Sequence, residues 1–126
     1  MPIERQRWVP AADLATLNQR MPRIIETLDK SARYDLKTVT ASQTVILTYP
    51  RTLFLVDTTS GSVTLTLPPA AASVGMRFEA KKTAAANTVT IDGNASETID
   101  GATTLAWTTR YQGFGVVSDG TRWHIV

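Results

Sequence analysis

The single histidine, His124, lies between Trp123 and Ile125 and is the first place to look for acid–base chemistry. An imidazole suits proton transfer near neutral pH, but it needs a nucleophile and an orienting group within hydrogen-bond reach. The chain has no cysteine and no Gly-x-Ser-x-Gly element to hold a serine on a strained turn. On an extended strand His124 and Trp123 point to opposite faces, so the histidine reads as solvent-facing or hydrogen-bonded. Asp92, Glu97 and Asp100 cluster in sequence, and glycan cleavage would need two such carboxyls facing one another across a sugar-sized cleft. Asp92-Gly93 and Asp100-Gly101 are already explained as turns, and 126 residues leave little material for a deep cleft. Asp92-Gly93-Asn94 offers too few oxygens for calcium and lacks the longer loop pattern. The glycines do not form a phosphate-cradling loop ahead of a helix. The expectation is a protein with no catalytic residue, no metal and no cofactor.

The elements that would carry these residues fall into three zones. Residues 1–10 are polar, interrupted by Pro2 and Pro10, and read as an extended arm on which Trp8 must dock against something. From 11 to 36 the signal is helical. Leu14, Leu17, Met21, Ile24 and Leu28 are spaced 3, 4, 3 and 4, a seam of about two heptads. Pro22 inside that seam predicts a kink or a second helix starting there. Trp8 and these five seam residues are the candidates for anchoring or oligomer contact; amphipathic helices that simply cover their own β-domain are the alternative.

From residue 38 the period changes to two. Val45-Ile46-Leu47 and Leu53-Phe54-Leu55-Val56 predict buried strands, while Val63, Leu65 and Leu67 alternate with Ser62, Thr64 and Thr66. Further strands are predicted over 76–82, 88–91, 104–108, 112–118 and 122–126, with turns at Ser60-Gly61, Pro68-Pro69, Asp92-Gly93, Asp100-Gly101 and Asp119-Gly120. Asp119-Gly120 predicts a two-residue hairpin turn, and the last strand, ending in Ile125-Val126, must be covered. Lys81-Lys82 reads as a polar strand end running into a loop. The fold class expected is mainly β, an antiparallel sandwich or roll over 38–126, preceded over 1–37 by an arm and one or two α-helices. Trp107, Tyr111, Phe114 and Trp123 are the candidates for the β-core or a subunit interface.

Composition agrees with a folded, association-prone chain: 43% hydrophobic, 19% charged, with a net charge of +2 that gives no reason to expect nucleic-acid binding. The surplus sits in residues 1–37, and the remainder is balanced. No apolar stretch reaches the length of about 18 residues needed to span a bilayer, so a soluble protein made in its producer's cytoplasm is expected.

Four segments, in order, resemble a β-module recurrent in bacteriophage virion proteins. They are residues 55–70 (LVDTTSGSVTLTLPPA), 89–93 (VTIDG), 97–101 (ETIDG) and the closing 117–123 (VSDGTRW). Such modules occur in tail fibres, head fibres and capsid decorations, and the likeness covers about residues 53–126. It implies a non-enzymatic structural protein located in the virion. It also implies a homotrimer, with the major capsid protein or another virion component as partner and no membrane. Capsid decoration or a head fibre is the first expectation; a tail or collar fibre binding a host-surface receptor or another tail component is the second.

Overall fold

The computed structural model describes residues 33–126. Trp8, Leu14, Leu17, Met21, Ile24 and Leu28 therefore lie outside the described residues, as do the arm and the helical seam. The described unit is mainly β: nine strands in two sheets, with one short 3-10 turn at Ala70–Ala72. The first strand, β1, spans Asp35–Val39 and crosses the boundary expected at 37/38. Asp35 and Leu36, expected at the end of the helical segment, are strand.

The next strands are β2 (Gln43–Thr44), β3 (Arg51–Val56), β4 (Val63–Thr66), β5 (Arg77–Lys82) and β6 (Val89–Asp92). The last three are β7 (Thr104–Trp107), β8 (Gly113–Ser118) and β9 (Trp123–Ile125). One sheet, here sheet A, runs β1-β3-β5-β8-β9, and the other, sheet B, runs β2-β4-β6-β7. Through β6 the chain thus alternates between sheets, and each strand lies parallel to the one laid down a turn earlier. Arg51 pairs with Arg77 and Val63 with Val89, at the same interval in both sheets. Only the final third reverses, through β5/β8, β6/β7 and β8/β9.

The expected antiparallel arrangement is therefore corrected to two mixed sheets. Parallel neighbours need a crossover, and here the crossover out of one sheet is a strand of the other. The sequence repeats weakly at that interval, Arg51…Val63-Thr64-Leu65 against Arg77…Val89-Thr90-Ile91, a signal the residue-by-residue reading missed.

Both sheets turn alternate residues into one core. Sheet A contributes Phe54, Val56, Phe78, Ala80, Val116 and Trp123; sheet B contributes Val63, Leu65, Val89, Ile91 and Trp107. Phe54 and Phe78 meet edge-on with ring centroids 5.2 Å apart. Leu53 and Leu55, expected to be buried with Phe54 and Val56, are only half-buried because period two sends them to the outer face of sheet A. The Val45-Ile46-Leu47 run is likewise no buried strand. Regular pairing stops at Thr44, Val45 turns inward, and Ile46 is 73% exposed. On the outer face of sheet B, Thr64 pairs with Thr90, and Thr66 lies between Thr44 and Asp92, which is the threonine face that the alternation predicts.

Lys82 is not the polar strand end it resembles in sequence. It is fully buried at the corner after β5, and its ammonium donates to one acceptor among the described residues, the Ala84 carbonyl. Its Cα partner Val56 fixes the register, and that register points Lys82 inward with Phe78 and Ala80.

The closing turn also differs from the simple expectation. Ser118 and Trp123 are paired, so residues 119–122 form the connection. The Asp119 carboxylate accepts from the Thr121 and Arg122 N–H groups, and Gly120 takes φ +97°. A β-carbon is disfavoured in that left-handed conformation, which explains glycine at this position.

Candidate functional site

Two clusters of polar side chains are candidates for chemistry. The first surrounds His124. Trp123, its neighbour on β9, is fully buried, and period two leaves the imidazole outside. Its Nε2 lies 2.7 Å from Asp119 Oδ2, and its Nδ1 lies 3.8 Å from Asp100 Oδ1. The two carboxylates face different nitrogens of one ring, so they do not converge on a point where a metal ion would sit. Among the described residues, no group of three such side chains is arranged to hold one.

Asp100 also accepts from Ile125 N–H, and its own N–H donates to the Trp123 carbonyl, which clasps the 98–102 turn along β9. That clasp covers the outer edge of β9 and protects its backbone from pairing with another chain. Val126 remains 59% exposed, so the apolar end of the chain is not covered among the described residues.

The hydrogen bond from His124, then the Arg122 and Thr121 N–H groups, hold the Asp119 carboxyl well below the usual carboxylate range. A carboxylate whose folded pKa is depressed stabilises the fold fully above its unfolded value, about 3.9. That contribution fades as pH falls through the lower folded value. Asp119→Asn should therefore lower Tm at pH 7, and the gap to the parent should close as pH is taken from 4 toward 2. A gap constant over the whole range in calorimetric scans would count against this role.

The second cluster is a groove of about 470 Å³ on the outer face of sheet A, lined by Leu53, Arg77, Glu79, Lys81, Tyr111, Gly113, Gly115 and Val126. Register places its members. Leu53 and Gly115 flank Glu79, while Leu55 and Gly113 flank Lys81. A β-carbon at Gly113 would stand 2.8 Å from the Ala80 carbonyl oxygen, and one at Gly115 would stand 3.1 Å from an Arg77 guanidinium nitrogen. Glycine at both positions lets the charged side chains of β5 lie flat across β8. Arg77 pairs with Glu79 through its Nε, and the Tyr34 hydroxyl donates to the same carboxylate at 2.6 Å. That hydrogen bond, with burial and the carboxylate charge, raises the Tyr34 pKa above its ordinary value.

Tyr111 forms the rim of the groove. It is 60% exposed, and its φ of +67° is a left-handed backbone conformation that bulky residues rarely adopt. The conformation is imposed by its surroundings. Tyr111 N–H donates to the Lys82 carbonyl at 2.7 Å, Lys82 N–H to the Gln112 carbonyl at 3.0 Å, and the Trp107 indole to that same Gln112 carbonyl at 2.8 Å. The Arg110 guanidinium lies 4.7 Å from the Tyr111 ring centroid and the Lys81 ammonium 5.9 Å from it.

The four aromatic candidates separate accordingly. Trp123 is fully buried, Trp107 is 6% exposed, and half-buried Phe114 packs edge-on against Trp107 at 4.9 Å. Tyr111 is the one on the surface. Sequence reasoning missed Lys81 and Arg77 as its companions, because only the β5/β8 register brings them together, and it missed Arg110, its neighbour in the chain, because sequence alone does not show that the guanidinium lies on the ring. No known family model matches the chain, and a search of curated proteins finds no match either.

Proposed function

We propose that the chain is a non-enzymatic structural protein of a bacteriophage virion, a homotrimeric capsid decoration or head-fibre protein attached through residues 1–37. The likeness of residues 53–126 to virion β-modules is the starting point. The observation that carries the reading is the outer face of sheet A. There Leu36, 60% exposed, pairs with half-buried Leu53, and Leu55 lies in the next row beside Thr38. A row of leucines on a sheet surface is apolar area that association would remove from water. In this reading the two sheets are the layers of a sandwich, and that face meets a neighbouring copy or the major capsid protein.

Sedimentation velocity and native mass spectrometry of the purified full chain should report a trimer at micromolar concentration. Leu36→Asp, a change at an exposed position, should shift it toward monomer with the β-unit still folded by circular dichroism. Leu17→Asp should prevent attachment or assembly in the same way. A parent protein that is monomeric throughout, or trimers that persist on capsids with Leu17→Asp, would overturn the proposal.

A second reading, a tail or collar fibre that binds a host-surface receptor or another tail component, is favoured by one observation. Tyr111 is an exposed loop aromatic whose backbone is held in a costly conformation, and such outliers concentrate at ligand-binding sites.

A further inference from the structure

We infer that the groove beside Tyr111 is a binding site for a carboxylate-bearing sugar of one or two rings. The inference rests on the second reading, of this groove as a ligand site, and names the ligand it would take.

The argument begins with charge. Arg77 is paired with Glu79, and the Tyr34 hydroxyl also donates to that carboxylate, so the acidic side chain that lines the groove is committed. Lys81 and Arg110 are different. Each approaches the Tyr111 ring, and neither has a carboxylate partner among the described residues. Arg110 spends its Nε on the Thr83 carbonyl at 3.1 Å, which fixes the guanidinium beside the ring. Two cations placed about one aromatic, without an anion of their own, make a receptor for an anion brought from outside.

Shape and wall chemistry narrow the anion. A bare phosphate would fill a small part of a space of about 470 Å³. The walls also include the apolar side chains of Leu53 and Val126 and the rim of Tyr111. A pyranose with a carboxyl group matches each part. Its C–H face packs on Leu53 and Val126, its hydroxyls meet the tyrosine hydroxyl, and its carboxylate meets Lys81, with Arg110 on the Tyr111 ring adding positive charge from beside the groove. An acidic peptide adding as a strand is disfavoured, because the open side of β9 is already taken by the backbone of Thr98 and Asp100. The positive φ of Tyr111 has a purpose in this arrangement, since it turns a large ring out over the groove.

Saturation-transfer NMR and isothermal titration of the full chain with glucuronic acid and with digalacturonic acid test the inference, with glucose and inorganic phosphate run in parallel. Both acidic sugars should bind, the two-ring one more tightly, and raising the salt should weaken both. Lys81→Met should weaken binding about tenfold, the loss of one charge-assisted contact. Tyr111→Asn, which keeps a residue tolerant of the left-handed conformation, should weaken it further while the circular dichroism spectrum is unchanged. Glucose binding as tightly as glucuronic acid, phosphate matching it, or Lys81→Met leaving the affinity unchanged would each overturn the inference. So would no binding at all by the acidic sugars. If Tyr111→Asn abolished adsorption to host cells while the acidic sugars failed to bind, the receptor role would stand and the sugar would be discarded.

Discussion

Trp123→Ala should destabilise the β-unit by about 3–5 kcal/mol, the range for truncating a large buried aromatic to alanine. Trp123 is fully buried, belongs to the core shared by both sheets, and anchors the hairpin from β8. Its backbone also holds the Thr98 and Asp100 turn, so a collapse around the missing ring would loosen that turn as well. Domains of this size have about 5–15 kcal/mol of stability in total. The loss should therefore appear as a large fall in the urea midpoint followed by far-ultraviolet circular dichroism.

Trp123→Phe separates two contributions. The indole Nε1 is buried with no hydrogen-bond partner among the described residues, and an unsatisfied buried donor costs about 1–3 kcal/mol. Phenylalanine removes that donor while keeping most of the apolar volume, so its loss should be clearly smaller than that of alanine. Equal losses for the two variants would mean that the indole N–H is not an orphan.

Gly93→Ala is the second change with a large expected effect, and its cause is backbone. A β-carbon at Gly93 would run into the Glu97 carbonyl oxygen and stand 3.1 Å from the carbonyl carbon. Neither side can yield cheaply. Gly93 N–H donates to the Thr103 carbonyl at 2.9 Å, and Glu97 N–H donates to the Asn94 carbonyl at 2.8 Å. The Glu97 carboxylate in turn accepts from Ala70 N–H at 3.0 Å, which ties this turn to the loop after β4. Overpacking of a tight site typically costs about 1–3 kcal/mol, and a clash with hydrogen-bonded backbone belongs at the upper end. Gly61→Ala is the control, because a β-carbon there meets nothing within 4 Å among the described residues. Its midpoint should match the parent or rise slightly, as restricting the unfolded chain predicts. Equal destabilisation by both substitutions would show that the Glu97 carbonyl is not the cause.

Much of the β-unit is legible in the sequence because period two is a local signal. Val63, Leu65 and Leu67 alternate with polar residues, and all three are buried. His124 and Trp123 separate to opposite faces for the same reason. What alternation does not carry is the identity of the neighbouring strand. The sequence of β3 is compatible with an antiparallel partner; its parallel pairing with β5 depends on β4 being laid in the other sheet between them. Lys82 illustrates the point at one residue. Its type predicts solvent, and its register beside Val56 places it in the interior.

The candidate groove was the least legible part. Tyr111, among the residues expected in a core or interface, is identifiable by type, but its left-handed backbone is imposed by hydrogen bonds to residues far along the chain. Arg77 and Lys81 join it only once β8 is seated on β5.

The alternating path of the chain has a consequence for how such a protein can change length. Between β3 and β6 one circuit adds a strand to each sheet, and each new strand contacts mainly the one before it. Duplicating a circuit would extend the β-unit along its winding axis, with the same parallel register repeated and the antiparallel pairings to β7 and β8 made by the last copy. The length of the β-unit along that axis is thereby separable from the chemistry at its closing hairpin.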